Sequence, residues 1–325
     1  MNTIGLGNAL VDVLLRLKSD DVLTEIGMQK GAMDMIQQDQ MVKIRQSQES
    51  LECSQAPGGS VCNTMRAMAL LGANTGFIGK IGSDSVGTYY KEALQKAGVT
   101  PHFIQTEGIS GSCIVLISPD GERTMATFLG PAPTITPDEI TEEMLSAYQC
   151  IYIEGYLLVN EELVRTTMRK AKQLGLKVAL DLSNFNIVNA FRGLLEDIIP
   201  NYVDILFSNE SEAEAFTGKN AQEAVRLLSE QVEVSLVTIG KEGALVGSRG
   251  QVFAIPADGG KAIDTTGAGD HFAAGFLYGQ SVGATLEQSA RIGSLLAGHI
   301  IEVVGAQIPD DKWEQIKLKV NSILD

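Results

Sequence analysis

Basic residues are scarce in this chain. Its 325 residues carry 25 Lys and Arg against 40 Asp and Glu, a formal net charge of −15. Nucleic acid and anionic membrane both require a basic face, so neither is an expected partner. Three histidines (His102, His271 and His299) lie far apart and make no metal-ligand pattern. Four cysteines (Cys53, Cys62, Cys113 and Cys150) are scattered without a C-x-x-C pair, which reads as reduced thiols of a cytoplasmic protein. No apolar run reaches about 18 residues, so no transmembrane helix is expected. The first seven residues have neither a basic start nor a long apolar core, so no signal peptide is expected. Two nucleotide-binding motifs are missing as well. Without G-x-x-x-x-G-K-[S/T] a P-loop enzyme is not expected, and without G-x-G-x-x-G after the first strand neither is a Rossmann dehydrogenase. What remains is an ordinary globular balance, 44% hydrophobic and 20% charged, which excludes disorder. The length allows one large domain or two smaller ones.

The most informative stretch is Asp264-Thr265-Thr266-Gly267-Ala268-Gly269-Asp270, running into His271-Phe272-Ala273-Ala274-Gly275-Phe276-Leu277. It reads as a glycine-rich loop opening a helix, and Ala273, Ala274 and Gly275 are small enough to bring that helix close to a neighbour. Gly267, Ala268 and Gly269 have little or no side chain, so their N–H groups can converge on one point at the positive end of the helix dipole. Such a place holds phosphate, or charge developing on phosphate during transfer. Asp270 stands at its mouth, where a carboxylate can accept a proton from an attacking hydroxyl. Taken alone, G-A-G-D also reads as an Asp cap after a glycine turn.

Residues 3–6 predict a first strand, and Asn8 to Asp12 follow its carboxyl end, where ligands of open α/β sheets gather. Asp12, polar among apolar neighbours, belongs to a site or to a turn. Residues 11–17 alternate as an exposed strand, with 31–36 as a partner. Pro57-Gly58-Gly59-Ser60-Val61-Cys62-Asn63 sets a glycine pair at a helix N-terminus. Gly58 and Gly59 let a polyhydroxylated ligand touch backbone, and Asn63 offers a donor and an acceptor. A helix capped by Ser60 accounts for the same residues. Residues 75–79 predict a strand, and 80–87 a loop opening a helix to residue 97. Strands follow at 102–105, 113–118 and 123–128, the last two joined by the hairpin signal Ser118-Pro119-Asp120-Gly121-Glu122. With 11–17 these would form a separate small sheet, uncovered by helices, a natural lid.

Beyond residue 131 the pattern becomes regular. Helices at 137–147, 161–174, from 186, and 221–230 alternate with strands at 150–153, 177–181, 203–207 and 235–239, the mark of a parallel sheet covered on both faces. A hairpin (244–246 with 252–255) and helices at 286–303 and 311–324 close the chain. The expected fold class is α/β: a doubly wound, mainly parallel sheet from residues 1–10, 37–101 and 131–325, with a small antiparallel β lid from 11–36 and 102–130. At one strand end Asn209 and Glu212, three apart, can position Mg²⁺ through water; they also read as an acidic helix start.

Together these stretches resemble the ribokinase-like (PfkB) family of carbohydrate and nucleoside kinases, over nearly the whole chain. Residues 264–272 resemble its D-T-x-G-A-G-D-x-F signature, departing only at His271, where the family usually has a small residue. Residues 57–63 look like its G-G-x-x-x-N sugar motif, and 78–87 like its I-G-x-x-G-x-D-x-x-G element. Asn209-Glu210-Ser211-Glu212 is similar to N-x-x-E, and 238–243 to T-x-G-x-x-G beside the nucleotide. The start Gly7-Asn8-Ala9-Leu10-Val11-Asp12 and the segment 202–210 lean towards adenosine kinases. The resemblance implies that Asp270 is the base and Gly267, Ala268 and Gly269 the anion hole. It implies that Asn8, Leu10, Asp12, Gly58, Gly59 and Asn63 meet the acceptor, with Phe185 a candidate contact to a base. It implies that Asn209, Thr238, Gly240, Gly243 and Asp264 serve the cofactor and Glu212 the metal. The expected function is transfer of the γ-phosphate of ATP, with Mg²⁺ and room for a monovalent cation, to a primary hydroxyl of a nucleoside, adenosine first. A sugar acceptor is the alternative; a non-catalytic, ligand-sensing relative is the alternative from another class. The exposed lid edge leaves monomer and lid-mediated homodimer both open.

Overall fold

The computed structural model describes residues 1–47 and 53–325. Among them the strands, in chain order, are β1 (Thr3–Leu6), β2 (Leu10–Arg16), β3 (Met33–Met35), β4 (Cys53–Gly58), β5 (Thr75–Gly82), β6 (Val99–Thr106) and β7 (Gly111–Ile117). They continue with β8 (Arg123–Phe128), β9 (Cys150–Glu154), β10 (Lys177–Asp181), β11 (Ile205–Asn209), β12 (Val234–Thr238), β13 (Ala244–Ser248) and β14 (Gln251–Ile255). The larger sheet runs β14-β13-β12-β11-β10-β9-β1-β5-β6, the smaller β3-β8-β7-β2-β4. From β12 to β6 every pairing is parallel, and β13 and β14 add an antiparallel hairpin at one edge.

The apolar runs of the large sheet are buried on both faces, as a parallel sheet requires. Ile4, Leu6, Ile151, Ile153, Val178 and Leu180 share one core with Val164, Met168, Leu195 and Ile198, from the helices Glu161–Gln173 and Arg192–Tyr202. Tyr152, Ala179, Phe207 and Leu236, one residue out of phase, share another with Met65, Phe272 and Ile292, from the helices Ser60–Leu71, Ala268–Ser281 and Leu286–Ile300. Gly5 points at the second core because the Ser60–Leu71 helix lies against it: a Cβ there would stand 2.2 Å from Val61 Cγ1. Gly275 does the same for the two C-terminal helices, where a Cβ would stand 2.5 Å from the Ile292 carbonyl. The strand order reverses between β9 and β1, and this switch point opens the crevice that a ligand can enter.

The small sheet combines antiparallel pairs (β2–β4, β7–β8) with parallel ones (β2–β7, β3–β8). Its composition departs from the sequence expectation in several places. Residues 102–105 lie within β6, which pairs with β5 in the large sheet. A helix (Ser85–Lys96) joins the two strands, and a β-α-β unit delivers its second strand parallel to the first. Pro101 is tolerated there because β6 is the edge. Residues 53–58, assigned by sequence to the large domain, instead form β4 of the lid. S-Q-A-P-G has no alternation to announce a strand, and it becomes one by pairing with β2. Met33–Met35 pairs with β8 rather than β2. Nor is the lid bare: the Gln38–Ser47 helix covers its outer face with Met41 and Ile44. The predicted helix 137–147 is a turn (Pro137–Glu139), closed by a capping box with Thr136, and a separate helix, Glu142–Ser146. Cys62, Cys113 and Cys150 are buried free thiols; the side chain of Cys53 lies outside the described residues. Among the described residues no helix is long and apolar enough to cross a membrane.

Candidate active site

A cleft of about 500 Å³ lies between the carboxyl ends of the central strands and the inner face of the lid. That volume suits a small-molecule site. Period-two alternation decides what the lid shows it: Asp12 and Leu14 of β2, Ser54 and Ala56 of β4, Cys113 and Val115 of β7, and Arg123 and Met125 of β8. The lid thus supplies a largely apolar roof with one carboxylate and one guanidinium.

The floor is the loop 265–270. Gly267, with φ at 77°, is the N-cap of the Ala268–Ser281 helix, so Asp270 sits in its first turn rather than at its cap. The N–H of Ala268 closes a turn onto the Thr265 carbonyl at 3.2 Å. Those of Gly269 and Asp270 have no partner among the described residues and face the cleft end of the dipole. Asp270 is half-buried, and both its oxygens are held from the Ser60–Leu71 helix. Ser60 Oγ donates to Oδ1 at 2.8 Å and Asn63 Nδ2 to Oδ2 at 2.8 Å. Thr64 Oγ1 lies 3.1 Å from the Asp270 carbonyl. Burial raises the pKa of Asp270 above the usual carboxylate value, against the pull of the Asn63 and Ser60 donors. Asn63 Oδ1 is buried without a partner, an acceptor left for a hydroxyl.

Acidic groups crowd the site. Asp12 is pushed up to about 7 by burial and by the charge of Asp270, with Arg123 opposing. Asp181, at the end of β10, is raised by burial and by Asp270, while it accepts from Tyr152 Oη at 3.1 Å and the Ser183 N–H at 2.7 Å. Glu212 is raised by burial and by Asp181. Carboxylates that raise one another favour an incoming cation. Among the described residues no three His, Cys, Asp or Glu side chains converge as a direct metal cage. A metal that keeps its waters and meets phosphate oxygens fits that donor set, with Glu212 and Asp181 its neighbours.

Ten of the sequence-derived site residues line the cleft together: Asp12, Gly59, Asn63, Asn209, Glu212, Thr238, Gly267, Ala268, Gly269 and Asp270. Six do not. Asn8 is buried and donates to Glu154 from its N–H at 2.9 Å and from Nδ2 at 2.6 Å. Leu10 and Gly58 are a facing pair of β2 and β4, and Gly58 lies beneath the Asp12 carboxyl group. Gly240 and Gly243 form the turn between β12 and β13. Asp264 organises the 264–267 loop, accepting from Thr266 N and Oγ1 at 3.1 and 2.8 Å and from the Gly305 N–H at 2.7 Å. Asn209 and Glu212 form a reciprocal capping box on the Glu210–Thr217 helix, so the helix-start reading of that pair holds locally. Phe185 is exposed and does not line the cleft.

Ser60 entered the sequence reading only as a cap, and Arg123, Tyr156 and Asp181 not at all. Asp181 had a signal, since it ends a strand on the ligand side of the sheet. Tyr156, 38% exposed, is an aromatic ring on the cleft wall two residues past the end of β9. Arg123 joins lid to floor, with Nη2 2.7 Å from Asp264 Oδ2 and Nη1 donating to Thr266 Oγ1 at 3.1 Å.

A doubly wound sheet, a smaller sheet over its switch point, and a carboxylate beside a glycine-rich helix mouth fit a small-molecule phosphotransferase. The chain belongs to the pfkB family of carbohydrate kinases, whose family model matches residues 32–313. It is 30% identical over 244 residues to an uncharacterized sugar kinase of Archaeoglobus fulgidus, covering 74% of this chain and 96% of that relative. It is 32% identical over 275 residues to an adenosine kinase of Saccharomyces cerevisiae, covering 78% and 80%. The solved adenosine kinase of Sinorhizobium meliloti superposes with a TM-score of 0.86 at 28% identity, covering 99% of this chain and 98% of that one. The chain is therefore an ATP-using phosphotransferase with a hydroxyl acceptor.

Proposed function

We propose that this kinase transfers the γ-phosphate of Mg-ATP to a primary hydroxyl of a nucleoside, adenosine foremost, in the cytoplasm. The observation that carries the nucleoside reading is the roof. Leu14, Cys113, Val115 and Met125 face the cleft from the lid, and the Tyr156 ring stands on its wall. A free pentose or hexose, ringed by hydroxyls and with only small C–H faces, would leave much of that surface unused, whereas a base is flat and apolar on its faces. Asp12 and Asn63 suit the hydroxyls of the attached ribose. The adenosine kinases among the relatives support the same reading.

In this reading Asp270 takes the proton of the acceptor hydroxyl as its oxygen attacks the phosphorus in line. Ser60 and Asn63 hold the carboxylate in place, and the Gly269 and Asp270 N–H groups meet charge developing on the transferred group. Arg123, tied from the lid to Asp264 and Thr266, keeps a positive charge at the cleft, and the covering lid excludes water as a rival acceptor. When bound, Mg²⁺ neutralises phosphate charge, with Glu212 and Asp181 as its protein neighbours. The test is ADP release from Mg-ATP with adenosine, ribose, fructose or no acceptor, for the wild type and Asp270→Asn. Turnover with adenosine is expected, falling by roughly 10²–10⁴ in the variant while ATP still binds. Turnover with a free sugar alone would overturn the acceptor, and near-normal turnover of Asp270→Asn would overturn the base.

A further inference from the structure

Among the described residues the lid is joined to the large domain at four crossings: residues 7–9, 58–60, 107–110 and 129–131. One buried carboxylate holds the first two. Glu154 ends β9, is 1% exposed, and does not line the cleft. Its Oε1 accepts both the Asn8 N–H at 2.9 Å and Asn8 Nδ2 at 2.6 Å, on the chain leaving for the lid. Its Oε2 accepts the Val61 N–H at 3.4 Å, on the chain just returned from it. Gly7 is shaped by the same contact: a Cβ there would lie 3.0 Å from Glu154 Oε2 and 2.8 Å from Val61 Cβ. These donors oppose burial, which pushes the Glu154 carboxyl up to about 7. Both crossings lead directly to site residues. The outgoing one reaches Asp12 within β2, and the returning one opens the helix whose Ser60 and Asn63 hold Asp270.

We infer that Glu154 is a positioning residue for phosphoryl transfer: by bracketing two lid crossings on the end of one strand, it fixes Asp12 and the Ser60–Asn63 turn relative to Asp270. The role rests on the phosphotransfer reading above. A bracket of this kind acts on alignment, and small misplacements of reacting groups cost rate steeply. An account in which Glu154 only stabilises the fold predicts a lower Tm and nothing more.

The experiment compares wild type, Glu154→Ala and Glu154→Gln for acceptor KM, kcat, and the ratio of acceptor-independent ATP hydrolysis to transfer, using the best acceptor of the panel. Glu154→Ala is expected to lose roughly 10–100-fold in kcat/KM, with a higher acceptor KM and a higher hydrolysis ratio. Its affinity for Mg-ATP should stay near that of the wild type. The Gln amide oxygen can still accept both Asn8 donors, but its NH2 cannot accept the Val61 N–H, so Glu154→Gln should restore only part of the loss. A folded Glu154→Ala with unchanged KM and hydrolysis ratio would overturn the role, as would Glu154→Gln behaving no better than Ala. If Glu154→Ala fails to fold, Asn8→Ala removes the shortest bond of the bracket from the other side. It should then raise acceptor KM and hydrolysis ratio together, and unchanged values overturn the role. A wild type that releases no ADP with any acceptor would overturn the phosphotransfer reading and this role together. A competent wild type with unaffected variants would overturn only the role.

Discussion

His271 shows how one residue can adjust a shared motif. Its ring is 2% exposed, and Nδ1 lies 2.9 Å from the Gly267 carbonyl. A carbonyl only accepts, so Nδ1 carries the proton. Burial pushes the imidazole down to about 4, so the ring is neutral at physiological pH. The His271 backbone N–H also reaches the Gly267 carbonyl, at 3.0 Å, so two donors fix the peptide that leads into the anion loop. Replacing His271 with Ala is expected to lower kcat about tenfold, the worth of one net hydrogen bond. Asn places an amide donor near the position of Nδ1, so His271→Asn should recover most of the rate. Steady-state kinetics of the two variants checks this; equal losses in both would show that ring volume matters instead. The pH–rate profile above pH 5 should keep its shape in both, since the ring does not titrate there.

At the scale of elements, the I-G-x-x-G-x-D-x-x-G stretch finds its place outside the cleft. β5 runs on to Gly82, past the strand end expected at residue 79, because Gly82 can lie flat against Gly108: a Cβ would stand 2.2 Å from its carbonyl. Asp84 then caps the Ser85–Lys96 helix through the Gly87 N–H at 3.0 Å and accepts from Ser110 Oγ at 2.6 Å. Ser110 Oγ accepts the Gly82 N–H at 2.9 Å, closing a knot on the third lid crossing. Asp84→Ala should cost roughly 1–3 kcal/mol from the lost cap and the freed hydroxyl. Tm should fall by a few degrees. Amide hydrogen exchange near residues 107–111 should quicken while ATP affinity holds. Unchanged exchange there with lost activity would place Asp84 in the chemistry rather than in the crossing.

For the whole molecule, the concentration of buried acid has a cost that depends on pH. Asp12 and Glu154 both rise to about 7, from ordinary carboxyl values of 3.8 and 4.5. A carboxyl whose folded pKa is raised binds its proton more tightly in the native state, so the stability it contributes is full below its unfolded pKa. That contribution is lost as pH climbs through the folded value. The histidines work the other way, since burial lowers His102, His271 and His299 from 6.5, and their effect is complete once pH exceeds 6.5. Between pH 6.5 and 8.5 the carboxyls are left to act. The Tm of the ligand-free protein should therefore fall across that interval in a thermal melt series. A flat or rising Tm would mean that these groups are ionised and paired in the native state.

The sequence by itself determined the alternation of buried strands and amphipathic helices. It also determined the glycine loop ahead of Asp270 and the glycine pair ahead of Asn63. Such features are local: period, cap and turn chemistry are written in neighbouring residues. It did not reveal that β4 would leave the large domain or that β6 would join it, because neither has a pattern strong enough to choose its sheet without its partner. Nor could it place Arg123 on Asp264, Tyr156 on the cleft wall, or Glu154 beneath two crossings. Those residues stand far apart in the chain and carry no spacing rule. Their positions exist only once the switch point of the sheet and the smaller sheet above it are assembled, where burial raises the acids and the few donors present decide which way each one points.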